Sequence, residues 1–520
     1  MAIRCGSVRS CALDGIKGIV VDIEASLLPG LPSFDIVGQG DSAIREARNR
    51  VYAAIKNSGY QFPSCRITTS LAPAWIRKGG SGFDLPLALA ILIASGQVRQ
   101  PDRLFCAFGE LGLTGEVRGV PGTICRVACC LEKSLTPIIV PNANASEARA
   151  VCADDLITVG CLRELIDYLQ SGRLPASPSI ETSNERFPGV FSVEPLSRPS
   201  LALIRGQEKA VRGVQIACAG RHNILLLGSP GCGKTSLASV LPDLLPPLNH
   251  QEALEVTQIY SVSGLMRENE GLIRKRPFRA PHHSISRSAM IGGGSIPIPG
   301  EISLAHQGVL FLDEMTEFKT DVLDLLRQPL EERQVRLARL HHNVTYPSDF
   351  ILIGAANPCR CGNYFEPDQI CRCTPDQIRR HLGNISGPLL DRMDLVVEMT
   401  RLEADILPDC VSGRPNAGIN PEDVAQQITA CWQVQLQRMR RTGQHSPGNG
   451  RQRGENLAEH LEIDRQILDQ AAKMANNLKL SVRGYQRLLR VARTIADLDG
   501  EKAVQYNHVT EAMQYRLRLS

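Results

Sequence analysis

Short apolar blocks separated by polar turns fill the first 175 residues. Gly18–Ala25 reads as a strand, and Ser33–Val37 as its hairpin partner across Leu28–Pro32. Ile44, Ala47, Val51, Ala54 and Ile55 recur at spacings of three and four, which predicts a helix over 42–57. Arg66–Leu71, Leu104–Glu110 and Ile138–Val140 add strands, and Phe83–Leu87 leads into an apolar helix over Ala88–Ala94. The pattern is that of an α/β domain with its own core. At 176–200 the periodicity stops and Pro and Ser dominate, so this stretch reads as a linker. Beyond it, a helix begins at Gly206–Ala210 and its spacing carries on through Val211, Val214, Ile216 and Ala217. Three apolar runs follow as buried strands, Asn223–Leu227, Gly308–Leu312 and Phe350–Ala356. The last quarter is helical: 421–440, 463–478, a helix opening at Leu480–Gly484 with Ser481 as its N-cap, and Asn507–Leu517. The expected organisation is an α/β domain over 1–175, a second α/β domain over 201–405, and a helical lid over 406–520.

Composition narrows this only a little. With 520 residues the chain needs several cores. Its 43% hydrophobic and 22% charged residues are those of an ordinary globular protein. No N-terminal apolar leader and no run of about 18 apolar residues is present, which predicts a cytosolic protein. A net charge of +4 neither demands nor excludes nucleic acid, and 4% aromatic residues argue against an extended base-stacking platform.

Candidate chemistry begins at Gly228-Ser229-Pro230-Gly231-Cys232-Gly233-Lys234-Thr235, between a strand and a helix. The spacing fits the phosphate-binding loop G-x-x-x-x-G-K-[ST] in full. Glycines let backbone N–H groups converge on phosphate oxygens, and the helix start adds its positive dipole end. Lys234 is placed for the β- and γ-phosphates of ATP and Thr235 for Mg²⁺. The strand Gly308–Leu312 ends in Asp313 and Glu314. Asp313 suits Mg²⁺ through water, and Glu314 the polarising of an attacking water. Asn357, at the end of the next strand, stands where a γ-phosphate would be sensed. Arg392 is a planar, permanently charged donor suited to a transferring phosphoryl group, with an ion pair to Asp391 or Asp394 as its other reading.

Three further features remain open. Cys359, Cys361, Cys371 and Cys373 form two C-x-C pairs within 15 residues, which suits tetrahedral Zn²⁺, free thiols or a redox disulfide. Residues 264–300 form a long insertion holding Arg279, His282 and His283, and the histidines read as a turn cap. Residues 431–454 hold five arginines and no acid, a phosphate-contact segment or a solvated loop.

Two resemblances add to this reading. Lys78–Ala90 with Gly109–Val117 resembles the Lon-protease fold. That resemblance implies a Ser–Lys dyad, but Ile124 falls where the lysine is expected and Ser81 is a nucleophile by type alone. The first domain is therefore expected to be a non-proteolytic scaffold for oligomer contacts or DNA. The phosphate loop, the Asp-Glu strand and Arg392 resemble the AAA+ superfamily. Pro299–His306, Arg276–Ser284 and Leu326–Glu331 narrow it to the magnesium-chelatase-like clade, and the whole chain resembles the YifB/ComM family. The resemblance implies a hexameric ATPase, a helicase that moves branched DNA junctions during recombination in natural transformation. It also implies that Arg392 acts on the neighbouring subunit's ATP, that Arg483 is the second sensor arginine in cis or trans, and that zinc is not essential to the shared chemistry. The magnesium-chelatase-like resemblance further implies that the insertion at 264–300 is a pore-facing element in which Arg279, His282 and His283 contact DNA. A magnesium-chelatase motor subunit and a protein-remodelling ring are the competing readings.

Overall fold

The computed structural model describes residues 4–38, 42–74, 78–101, 103–152, 154–175, 200–267, 270–294, 297–339, 342–366, 369–401, 420–443, 448–453, 456–478 and 480–516. The expected linker, save Ser200, and the expected lid boundary at 406 lie outside them. No helix among the described residues is long and apolar enough to cross a membrane.

The chain is mixed α/β. Among the described residues its first sheet has seven strands in the order Ser33–Val37, Arg66–Ala72, Lys17–Leu28, Arg4–Asp14, Cys106–Ala107, Ile138–Pro141, Leu156–Val159. The expected hairpin is not formed. Lys17–Leu28 turns at Gly15 (φ 64°) to pair antiparallel with Arg4–Asp14, and its other edge is taken by Arg66–Ala72. Ser33–Val37 lies parallel to Arg66–Ala72. A parallel pair needs a crossover, and the helix Ser42–Asn57 supplies it. That helix buries Ile44, Ala47, Val51, Ala54 and Ile55 against the wholly buried helix Asp84–Ala94. Burying the Asp84 carboxylate requires a partner, and Arg50 Nε provides it at 2.7 Å.

Ser81 Oγ donates to the Glu110 carboxylate. Ile124 is 0% exposed in the helix Thr123–Glu132, so core packing occupies the position where a Lon-type lysine was sought. The same helix packs on His250–Val262 of the second domain. There Gly122 N–H donates to Ser261 O at 3.0 Å, and Ser261 Oγ donates to the buried Glu147 carboxylate.

The second sheet has five parallel strands in the order Phe278–Arg279, Val309–Leu312, Ile351–Ala356, Ile224–Gly228, Leu395–Met399. Parallel strands bring their carboxyl ends to one edge, which is where such sheets bind ligands. The helices Pro421–Thr442, Val482–Leu498 and Tyr506–Gln514 share one apolar cluster with this sheet, Ile428, Leu488 and Val509 meeting Val214, Ile224 and Val397. The hairpin Gln334–Arg339 with His342–Pro347 was not anticipated.

Four of the five arginines at 431–453 carry acidic or carbonyl partners. Arg438 is buried on Asp497 at 2.5 Å, Arg451 on Asp349 at 2.9 Å, and Arg441 pairs with Glu462 at 3.0 Å. Arg453 donates to the Glu331 and Leu330 carbonyls at 2.8 and 3.0 Å. As placed, these four are engaged within the chain and tie its C-terminal helices to the sheet, while Arg451 and Arg453 also line an arginine-rich cavity; residues 444–447 and 454 lie outside the described set.

Candidate active site

Strand Ile224–Gly228 ends at the phosphate loop because glycines turn the chain there. Gly231 and Gly233 have φ of 81° and 91°, a region costly for residues with a Cβ. A Cβ on Gly228 would meet Met399 O at 2.4 Å, so the loop is seated directly on the neighbouring strand. Gln207 fixes it further, its Nε2 donating to Thr400 O at 2.7 Å and approaching Cys232 O at 3.5 Å. The helix Lys234–Leu244 opens at the loop with its amides facing the same mouth.

The sequence-predicted polar groups converge here. Lys234 Nζ donates to Gly228 O at 2.8 Å, Ser229 O at 2.9 Å and Asn357 Oδ1 at 3.1 Å. Thr235 Oγ1 donates to Asp313 Oδ2 at 2.8 Å. A hydroxyl and a carboxylate side by side are hard oxygen donors of the kind Mg²⁺ takes. Glu314 sits in the left-handed region (φ 48°, ψ 47°). A non-glycine residue held there stores about 1–2 kcal/mol, a strain typical of functional positions. The turn carries the Glu314 side chain out of the strand, 61% exposed, within 3.6 Å of His283 Nδ1.

His283 is a site residue that the sequence did not assign. It was read as a DNA contact or a turn cap, and it faces the acid beside the phosphate loop. His282 caps locally, its Nδ1 lying 2.8 Å from Ser284 Oγ. Arg279 is committed to Glu301 through two bonds of 2.6 Å, so as placed it is not offered to DNA. The strand Phe278–Arg279, which places His283 at the edge of the sheet, was not predicted from the sequence.

Arg392 and Arg483 lie elsewhere. Asn223, which precedes the same strand Ile224–Gly228, donates from Nδ2 to Arg392 O at 3.0 Å. Five residue steps run from Asn223 to Gly228, where the loop begins, about 17 Å at roughly 3.3 Å per residue. Arg392 pairs with Glu331 at 2.6 Å rather than with Asp391 or Asp394. It also donates to Arg327 O at 3.1 Å and Pro388 O at 2.6 Å. Arg483 Nη1 reaches the same Glu331 oxygen at 3.7 Å. A cavity of about 310 Å³ opens here, lined by Arg392, Arg451, Arg453, Arg483, Arg487 and Arg490 with Glu331, Asp391 and Asp394. It is an anion-favouring surface at the far end of the strand from the loop.

The four cysteines converge. Their Sγ atoms all lie within 4.8 Å of one another, with Cys359–Cys361 at 3.3 Å, Cys361–Cys371 at 3.5 Å and Cys359–Cys371 at 3.7 Å. Zinc at about 2.3 Å from each sulfur would space them by about 3.8 Å, so the thiol set fits a tetrahedral ion. Backbone N–H groups of Asn363 and Arg372 aimed at Cys361 Sγ draw its thiol down to about 6. Burial pushes Cys359 up to about 12.

Comparison with known families finds matches along most of the chain. The family model described as magnesium chelatase, subunit ChlI, matches residues 200–407. Two companion models, subunit ChlI of Mg-chelatase and the ChlI C-terminal region, match 23–144 and 418–516. Competence protein ComM of Haemophilus influenzae is 40% identical over 518 residues, covering 98% of this chain and 97% of its own. The YifB protein of Salmonella typhimurium is 38% identical over 514 residues, covering 98% and 96%. Lon protease 2 of Bacillus subtilis is 30% identical over 207 residues, 35% of this chain and 37% of its own.

Proposed function

Since the chain belongs to the YifB/ComM family of magnesium-chelatase-like AAA+ proteins, we propose that it is a ring-forming ATPase. Each of its ATP sites is shared between two copies, and its output is movement of branched DNA. The observation that carries this is the separation within one chain. The phosphate loop and the Arg392–Arg483 surface stand at opposite ends of the strand Ile224–Gly228, about 17 Å apart. An arginine side chain spans less than half of that, so neither guanidinium serves its own loop. A head-to-tail ring brings the two ends together between subunits.

The division of labour follows from placement. The phosphate-loop amides and Lys234 hold the β- and γ-phosphates, and Asn357, already bonded to Lys234, contacts the γ-phosphate. Thr235 and Asp313 hold Mg²⁺, which offsets phosphate charge. Glu314 orients the attacking water, and His283 fixes the direction of that carboxylate. The neighbour's Arg392, with Arg483 beside it, meets charge developing on the transferred group. Cys359, Cys361, Cys371 and Cys373 hold a structural Zn²⁺, outside the chemistry itself.

Movement of DNA is supported by the ComM relative, whose name places it in competence, and by its coverage of this chain nearly end to end. The test is a synthetic four-way junction with purified protein. The expected result is ATP-dependent migration, with ATPase turnover raised by junction DNA over linear duplex. Turnover indifferent to DNA, with no migration, would leave a protein-remodelling ring instead.

A further inference from the structure

Segment 357–374 runs between the strand Ile351–Ala356 and the helix Pro375–Leu382, with neither helix nor strand among its described residues. With no helix or strand ladder, its order rests on isolated turn bonds and on side chains. Yet it is the second wall of the phosphate loop. Ser229 Oγ, fully buried, donates to Gly362 O at 2.8 Å. Gly362 has φ of 81°, and a Cβ there would meet Pro230 Cδ at 2.4 Å, so the Gly362 backbone packs directly on the Pro230 ring. Gly362 follows Cys361 directly, and its N–H donates to Cys359 O at 3.1 Å. Asn357, two residues before Cys359, holds Lys234.

We infer that the four-thiolate site is the positioning device for the phosphate loop, so that zinc occupancy sets nucleotide affinity. This rests on the zinc reading above. Held by one ion, the Cys359–Cys361 turn presents Gly362 O to Ser229 at a fixed place and keeps Asn357 against Lys234. Released, an irregular segment samples many conformations, and only the fraction with Gly362 in place supports the binding-competent loop. Apparent affinity falls in proportion to that fraction. The coupling runs both ways: bound nucleotide, by ordering the phosphate loop, tightens retention of the metal.

The experiment uses the full-length protein, a fluorescent ATP analogue with Mg²⁺, and elemental analysis of each sample. The holoprotein is expected to carry about one zinc per chain. Chelator-stripped protein, with its helical circular dichroism retained, should bind the analogue about tenfold more weakly, and added Zn²⁺ should restore it. Gly362→Ala should weaken binding to a similar degree while keeping its zinc, because it breaks the contact and not the site. Cys371→Ser should lose zinc and affinity together. Zinc that can be removed without changing affinity would overturn the inference and leave the metal site standing. A holoprotein without zinc would overturn both. Holoprotein that binds no nucleotide would overturn the ATPase reading, and the inference with it.

Discussion

Glu314→Gln is expected to bind ATP with affinity within about twofold of wild type and to hydrolyse it about a thousandfold more slowly. The reasoning is geometric. Lys234, Thr235 and Asp313 are linked to the loop by bonds that do not involve the Glu314 side chain. Glu314 itself is turned out of the strand, where its carboxylate meets His283 and solvent. The amide is nearly isosteric and keeps a hydrogen-bond acceptor, so binding survives. It lacks the charge that polarises a water, so turnover does not. The check is a pair of measurements on one sample, equilibrium nucleotide binding and single-turnover hydrolysis. Retained turnover would remove Glu314 from the site.

Arg392→Ala is expected to lose turnover by about a thousandfold or more, the range for an arginine finger, with nucleotide affinity of each subunit nearly unchanged. Lys234→Ala should instead lose affinity, because that ammonium stands in the loop. The contrast follows from the two places in the fold: Arg392 is anchored by Asn223, Arg327, Pro388 and Glu331, none of which touches the phosphate loop. Arg392 is held by Glu331 at 2.6 Å, so acting as the proposed finger would require it to exchange that carboxylate for the transferring group. Comparable affinity losses in the two variants would place Arg392 in its own subunit's site.

The local part of the site was legible in the sequence because its spacing is local. Eight consecutive residues define the phosphate loop, and an apolar strand ending in two acids defines its partner. Asn357 was singled out by the same logic, and the structure places its Oδ1 3.1 Å from Lys234 Nζ. What the sequence hid was pairing across distance. Ser33–Val37 sits next to Lys17–Leu28 in sequence but lies along Arg66–Ala72, because a crossover helix intervenes. Arg438 and Arg451 looked like a free basic run, since Asp497 and Asp349, which bury them, are 59 and 102 positions away (497 − 438 and 451 − 349). Arg279 and His283 were taken together as DNA contacts, and their acids Glu301 and Glu314 divide them into a structural pair and a site residue. The motif around Arg392 singled it out as a candidate, whereas its distance from the loop is a property of the folded sheet.

The shared site is tested most directly by mixing two inactive proteins. Lys234→Ala supplies an intact Arg392 surface and a dead loop, and Arg392→Ala supplies the reverse. Co-assembled in equal amounts, about a quarter of the interfaces in a random ring pair a good loop with a good arginine. ATPase activity approaching that share of the wild-type rate is the expected result. A mixture as inactive as its parents, in assemblies shown to contain both chains, would contradict a site built from two subunits.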